Sequence, residues 1–196
     1  KKYFMSKTST NSIVTLSGIE VDLLDPDINV IPIEDISHSL ARICSFGNQI
    51  RKYYSVSEHS LNAASLAKAL FNDRKLEQLA FCHEFAESIF GDMPTPLKYL
   101  PSLQGYKFLE KQTMKLFYMK YCGISKQPPE VSLVDEMLVC WESYHLNIHI
   151  YNRIWLENDN AAAYVEEVNG ILGTPECLPY EEVKVRFENK YQELFV

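Results

Sequence analysis

Residues 73–91 set a problem that any fold of this chain must solve. The stretch carries Leu76, Leu79, Ala80, Cys82, Phe85, Ile89 and Phe90, apolar positions that at helical spacing cover a wide face. Asp73 is placed to cap such a helix, and the Gly91-Asp92 pair to stop it. A helix this apolar is buried. Yet its middle holds His83, Glu84 and Glu87, three ionisable groups within five residues. Burying them unpaired is expensive, so they need a metal ion, a salt-bridge network or access to water. On a continuous helix Glu87, four residues after His83, lies on the same face. Spacing alone leaves two readings open, a metal site and a half-exposed amphipathic helix.

Two further segments carry metal-ligand residue types. His59 falls in the first turn of a helix that Ser55 or Ser57 caps and that runs to about Phe71. Asp135, with Glu136, interrupts the apolar pattern of a helix predicted from Pro129 through His149, and Glu142, two turns beyond Asp135, is placed to orient a ligand. These residue types matter because together they can hold a metal ion, which can generate hydroxide at neutral pH. His145 and His149, spaced i to i+4, share a predicted helix face but lack a third ligand, so they read as structural, as does His38. Lys98 either reaches a phosphate or is solvated.

The remaining pattern gives a mainly α fold with a short N-terminal β-hairpin. Residues 13–16 and 19–24 read as strands about a Ser17-Gly18 turn, and residues 30–33 as a third extended segment. Helices are predicted over residues 34–44, 103–121, 160–169 and 180–193, making six to eight in all, roughly counted. Met93-Pro94-Thr95-Pro96 forms a rigid elbow, since two prolines fix φ and remove donors. Phe108, Phe117, Tyr118 and Tyr121 read as core. The 196 residues suit one domain, over residues 11–196, with residues 1–10 a flexible tail lacking the apolar core of a signal peptide.

A net charge of −7 with scattered cations offers no stripe for a nucleic-acid backbone, which excludes polymers but not a small nucleotide whose charge is met locally. Five cysteines, odd in number and never in a Cys-x-x-Cys pair, fit neither a disulfide framework nor a thiolate zinc site. They read as buried thiols of a cytoplasmic protein. No apolar run has the length of a membrane span.

The order His59, then His83 with an acidic neighbour, then Asp135 resembles the HD-domain phosphohydrolases. Asp35-Ile36-Ser37-His38-Ser39-Leu40-Ala41-Arg42, Tyr54-Ser55-Val56-Ser57-Glu58-His59-Ser60 and His83-Glu84-Phe85-Ala86-Glu87, continuing through Gly91-Asp92-Met93-Pro94-Thr95-Pro96-Leu97-Lys98, are similar to bacterial 5′-deoxynucleotidases and phage-borne HD relatives. The resemblance covers about residues 15–142 and implies a helical HD bundle, in a family whose members are commonly homo-oligomeric. It implies that His59, His83, Glu84 and Asp135 hold one divalent ion, and that Glu87 shuttles the proton of the attacking water. Imidazole nitrogen with carboxylate oxygen suits Mn²⁺, Co²⁺, Fe²⁺, Ni²⁺ or Zn²⁺, with Mg²⁺ possible. Arg42 matches the family's phosphate-contacting arginine, while Asp92 and Thr95 lie where relatives contact the sugar.

Two departures stand out. The family's second motif reads His-Asp, whereas Glu84 is one methylene longer: it ligates after a small shift, holds a water, or leaves a weakened site. Ile43 replaces a Trp that helps the nucleotidases exclude a 2′-hydroxyl, so the sugar preference is open. The implied activity is phosphate release from a (deoxy)nucleoside 5′-monophosphate. The alternatives are cleavage of a deoxynucleoside triphosphate at its α-phosphorus, and a non-catalytic nucleotide-binding module.

Overall fold

The computed structural model describes residues 10–196, so the tail expected over residues 1–10 lies, but for Thr10, outside the described residues. The chain is mainly helical and opens on a hairpin, as the sequence predicts. Strands β1 (Ser12–Val14) and β2 (Glu20–Asp22) pair antiparallel with Ile13 opposite Val21, and Val21 pins the hairpin to the core. The third extended segment is not a strand. Asp27 accepts the Asn29 N–H and starts a 3-10 turn over Ile28–Val30, after which Pro32, with no N–H to give a ladder, leads into helix α1 (Ile33–Leu40).

Helix α1 stops short of Cys44. The residues that would extend it pair instead with the strip before the next helix: Cys44 bridges Ser55, the Ser45 N–H donates to the Tyr54 carbonyl, and the Val56 N–H to that of Ile43. This strip sets where α2 (Val56–Phe71) begins. Ser55 Oγ accepts the Glu58 N–H at its start, and Asn72 closes it in the left-handed region at φ 48°. Helix α3 (Arg74–Cys82) follows, with Asp73 accepting from the Lys75 and Leu76 N–H groups.

The helix expected to run unbroken to Phe90 is split. Residues 83–86 form a tight turn before the short α4 (Glu87–Phe90). His83 Nδ1 lies 2.6 Å from the Ala80 carbonyl, which a continuing helix would offer to the Glu84 N–H. The next bonds are of i to i+3 type, from Phe85 N–H to the Cys82 carbonyl at 2.9 Å and from Glu87 N–H to that of Glu84 at 3.0 Å. After the proline elbow come α5 (Thr95–Lys98), α6 (Gln104–Cys122) and α7 (Pro129–Leu146), then α8 (Ile148–Glu157), α9 (Ala161–Leu172) and α10 (Tyr180–Phe195). A second predicted helix is also split: Asn147 separates α7 from α8 and caps the latter. His145 and His149 therefore do not share a face, and His145 Nε2 sits 2.8 Å from Asn169 Oδ1.

The core lies where α2, α3 and α7 pack together, closed by α6, α9 and α10. Phe85 stands at its centre, with the rings of Phe81, Phe117 and Phe187 at 5.5, 5.9 and 5.7 Å. Trp141 is fully buried and satisfies its indole N–H on Asn169 Oδ1 at 2.9 Å. Phe117 and Tyr118 are core, as expected, but Phe108 is 60% exposed. Nine residues separate Phe108 from Phe117, about two and a half turns, which sets them on opposite faces of α6. Cys82, Cys122 and Cys140 are buried, whereas Cys44 and Cys177 are half-buried, and all five are free thiols. Among the described residues no helix is long and apolar enough to cross a membrane.

Candidate metal centre

Three elements deliver four metal-ligand side chains to one place. His59 comes from the first turn of α2, His83 and Glu84 from the turn after α3, and Asp135 from α7, with one nitrogen or oxygen of each within 4.8 Å of all the others. His59 Nε2 lies 3.0 Å from His83 Nε2 and 3.4 Å from Asp135 Oδ1. His83 Nε2 lies 3.4 Å from Glu84 Oε1 and 3.7 Å from Asp135 Oδ1. Ligand atoms held at roughly 2.1 Å from one ion stand about 3–4 Å apart from their neighbours, so the spacing fits a common cation.

The hydrogen bonds on the far side of each ring sharpen this fit. His83 Nδ1 faces a backbone carbonyl, which only accepts, so that nitrogen carries the proton. His59 Nδ1 faces Glu142 Oε1 at 2.7 Å, and a carboxylate likewise only accepts. Were both rings neutral, their Nε2 atoms would present lone pairs to one another at 3.0 Å. Two lone pairs so close repel unless a proton or a metal ion lies between them. Glu142, 1% exposed, also accepts from the Tyr54 hydroxyl at 2.6 Å, which in turn accepts from Asn62 Nδ2 at 2.9 Å. This buried chain holds the His59 ring in one tautomer and orientation.

The break after α3 is what lets Glu84 join the group. Its extra methylene is taken up in a tight turn rather than on a regular helix, and Oε1 reaches the cluster. Glu87 arrives from α4 rather than from one turn below His83 on a continuous helix, and it is 5% exposed. The two still border one cavity of about 220 Å³, whose walls include Glu84, Lys98, Glu110 and Asp135. Lys98 Nζ sits 2.8 Å from Glu110 Oε1 and 3.5 Å from Glu87 Oε1. Glu110, on α6, had no signal in the local sequence.

Asp92 follows α4; burial raises its pKa, opposed by the Lys98 and His59 charges and by the Gly47 backbone N–H. Phe46, Gly47 and Asn48 all have positive φ, at 57°, 57° and 64°, and a Cβ on Gly47 would stand 3.0 Å from Pro94 Cγ. This left-handed turn lies against the proline elbow, in a conformation costly for Phe46. Thr95 is exposed at the start of α5 and does not line the cavity. Arg42 lies over the Tyr180 ring, 4.1 Å from its centroid, and borders a groove of about 390 Å³ with Asp35 and His38 that shares no lining residue with the metal cavity. His38 Nδ1 bonds the Tyr180 hydroxyl at 2.8 Å.

Packing carboxylates together out of water shifts their protonation. Burial, then the Asp135 charge, pushes Glu84 up to about 7. Burial, then Glu84 and Asp92, pushes Glu87 up as well. Burial disfavours a charged His59, but Glu142 and Asp135 prevail and raise its pKa. Burial also disfavours an ionised Asp135, yet hydrogen bonds from His59 and His83 hold it well below the usual carboxylate range.

A pH dependence of stability follows for the metal-free protein. An unfolded Glu84 ionises near 4.5 and the folded one near 7, so between these values the folded state keeps a proton that the unfolded state has lost. Stability therefore falls as pH rises through that window. Glu87 acts in the same sense, and His59 continues the trend above 6.5. Urea unfolding in chelator is expected to give a lower midpoint at pH 7.5 than at pH 5. A saturating divalent metal, which binds deprotonated ligands, should reverse that order. Midpoints in chelator that rise with pH would contradict this account of the cluster.

No family model matches the chain. It is 40% identical to an uncharacterized protein of Rhodobacter capsulatus over 42% of this chain and 44% of that protein. It is 33% identical to the uncharacterized protein YfdR of Escherichia coli K12 over 60% of this chain and 62% of that protein. With the 5′-deoxynucleotidase YfbR of Salmonella newport it shares 40% identity over 29% of this chain and 35% of that protein. In each case the chain spans less than two thirds of the relative's length. The similarity to a 5′-deoxynucleotidase is thus real but partial, and it accompanies a buried His/Glu/Asp cluster with the spacing of a metal site.

Proposed function

We propose that this chain, through a single domain over residues 11–196, is a metal-dependent phosphohydrolase that releases phosphate from (deoxy)nucleoside 5′-monophosphates. The observation that carries the reading is the convergence of two imidazole Nε2 atoms, 3.0 Å apart, with two carboxylates, and Glu87 on the cavity that His83 also lines. The partial similarity to a 5′-deoxynucleotidase supports the choice of substrate.

His59, His83, Glu84 and Asp135 would hold one divalent ion of the Mn²⁺, Co²⁺, Fe²⁺, Ni²⁺ or Zn²⁺ kind, with Mg²⁺ a further candidate. When bound it supplies Lewis acidity, lowering the pKa of a water and neutralising charge on the phosphoryl oxygens. Glu87 takes the proton from the water that attacks phosphorus. As the P–O ester bond breaks, Glu87 returns that proton to the departing 5′-oxygen. A carboxyl with a raised pKa suits both halves of this exchange. Asp92 does not line the cavity, but its charge acts on Glu87, and the sugar contact that the resemblance implies for it is part of this proposal. Arg42 and Thr95 stand outside the cavity and are not required by this reading.

The test is release of phosphate and of triphosphate from a panel of deoxynucleoside mono- and triphosphates with Mn²⁺, Co²⁺ or Mg²⁺. Phosphate is expected from monophosphates, lost in chelator and restored by metal. Triphosphate release would move the reaction to the α-phosphorus. No release from any substrate by folded, metal-loaded protein would leave a binding module.

A further inference from the structure

Lys98 is an unusual neighbour for a phosphate site because carboxylates outnumber cations around it. Of the residues lining the cavity, Glu84, Glu87, Glu110 and Asp135 are acidic, and Lys98 and Lys111 are the two lysines. Lys111 is exposed, whereas the Lys98 side chain is 20% exposed and its Nζ sits between Glu110 and Glu87. Burial works against its charge, but both carboxylates hold it protonated. This ammonium lines the same cavity as His83, Glu84 and Asp135. The arginine that the resemblance assigns to the phosphate is instead stacked on Tyr180 beside a different groove.

Building on the phosphohydrolase reading, we propose that Lys98 grips the phosphoryl group of the substrate, that Glu110 parks this ammonium while the site is empty, and that a single such cation confines the site to phosphomonoesters. A monoester brings about two negative charges near neutral pH, its second ionisation lying near pH 6. One divalent ion and one lysine meet that charge in a cavity already rich in carboxylates. A triphosphate adds further charge for which the cavity walls hold no further buried cation. When the phosphoryl oxygens arrive, they replace Glu110 as partners of Nζ, and Glu110 turns to water at the cavity mouth, where its side chain is already 15% exposed. Lys98 also stands 3.5 Å from Glu87, so the same movement brings the substrate phosphorus beside the proton carrier.

The experiment measures binding of Mn²⁺, then of inorganic phosphate to the Mn²⁺-loaded full chain, by calorimetry. It compares the native protein with Lys98→Met, Lys98→Arg, Lys111→Met and Glu110→Gln. A charge-assisted contact predicts about a tenfold to hundredfold loss of phosphate affinity in Lys98→Met, with Mn²⁺ affinity kept. Lys98→Arg should recover part of the loss, and Lys111→Met should match the native chain. Glu110→Gln, which frees Lys98, should bind phosphate more tightly, a gain that structural damage does not produce. Inorganic triphosphate should bind native protein no more tightly than phosphate does. Phosphate affinity unchanged in Lys98→Met and unimproved in Glu110→Gln, with Mn²⁺ still bound, would overturn this inference alone. Failure of the native chain to bind any of Mn²⁺, Co²⁺, Fe²⁺, Ni²⁺, Zn²⁺ and Mg²⁺ would overturn the phosphohydrolase reading and this inference with it.

Discussion

Replacing Glu87 by glutamine is expected to lower metal-dependent phosphate release by about 10²–10⁴-fold, the range of a positioned acid or base. The substitution keeps the shape of the side chain and removes its capacity to carry a proton. Glu87 is not among the four side chains whose atoms cluster, so Mn²⁺ affinity should stay within a few-fold of native. The fold should hold as well. A buried carboxyl whose pKa is raised by burial and by Glu84 is a group that ionises at a cost, and an amide in its place relieves that cost. The Glu87→Gln chain should therefore be at least as stable as native at pH 7.5 in chelator, while being nearly inactive with metal. Steady-state phosphate release with urea unfolding on the same preparation checks both. Activity within tenfold of native would remove Glu87 from the reaction.

How much of this was readable before the structure differs from residue to residue. The pairing of ionisable groups with an apolar stretch at residues 76–90 pointed to a site because burial forces a partner on each charge. That argument leaves two readings open, and it is the resemblance to HD-domain phosphohydrolases that groups His59, His83, Glu84 and Asp135, which the structure brings together, while Glu142 is legible as the orienter of a ligand. The path between them was misread. Periodicity extends a helix through residues 83–86 because nothing in an apolar repeat reports that a His ring will take the carbonyl at i−3. The same limit hid the break at Asn147, where an Asx cap competes with helix continuation. Residues 30–33 looked extended from their β-branched content, which Pro32 and the Asp27 cap overrode. Glu110 was invisible for a different reason: it meets Lys98 across two helices, and no short-range pattern encodes that contact.

Replacing His83 by alanine is expected to abolish the stabilisation that divalent metal gives the native chain, because it removes a ligand that sits near each of the other three. His83 Nε2 lies 3.0 to 3.7 Å from a ligand atom of each of His59, Glu84 and Asp135. In the native protein, metal at about one hundred times its dissociation constant adds about 2.7 kcal/mol to the unfolding free energy. For a chain of this size that moves the melting midpoint upward by several degrees. The His83→Ala chain should show no such shift at the same metal concentration. Glu142→Gln provides the graded case. The amide can still touch His59 Nδ1, but it lacks the charge that holds the ring, and loss of an outer partner of this kind costs about 10–100-fold in metal affinity. Its melting curve should therefore respond to metal fully, only at 10–100-fold higher concentration. Differential scanning fluorimetry across a Mn²⁺ titration separates the three proteins. A full metal response retained in His83→Ala would place the ion elsewhere in the molecule. Identical titrations for Glu142→Gln and native would reduce the Tyr54–Glu142–His59 chain to a purely structural element.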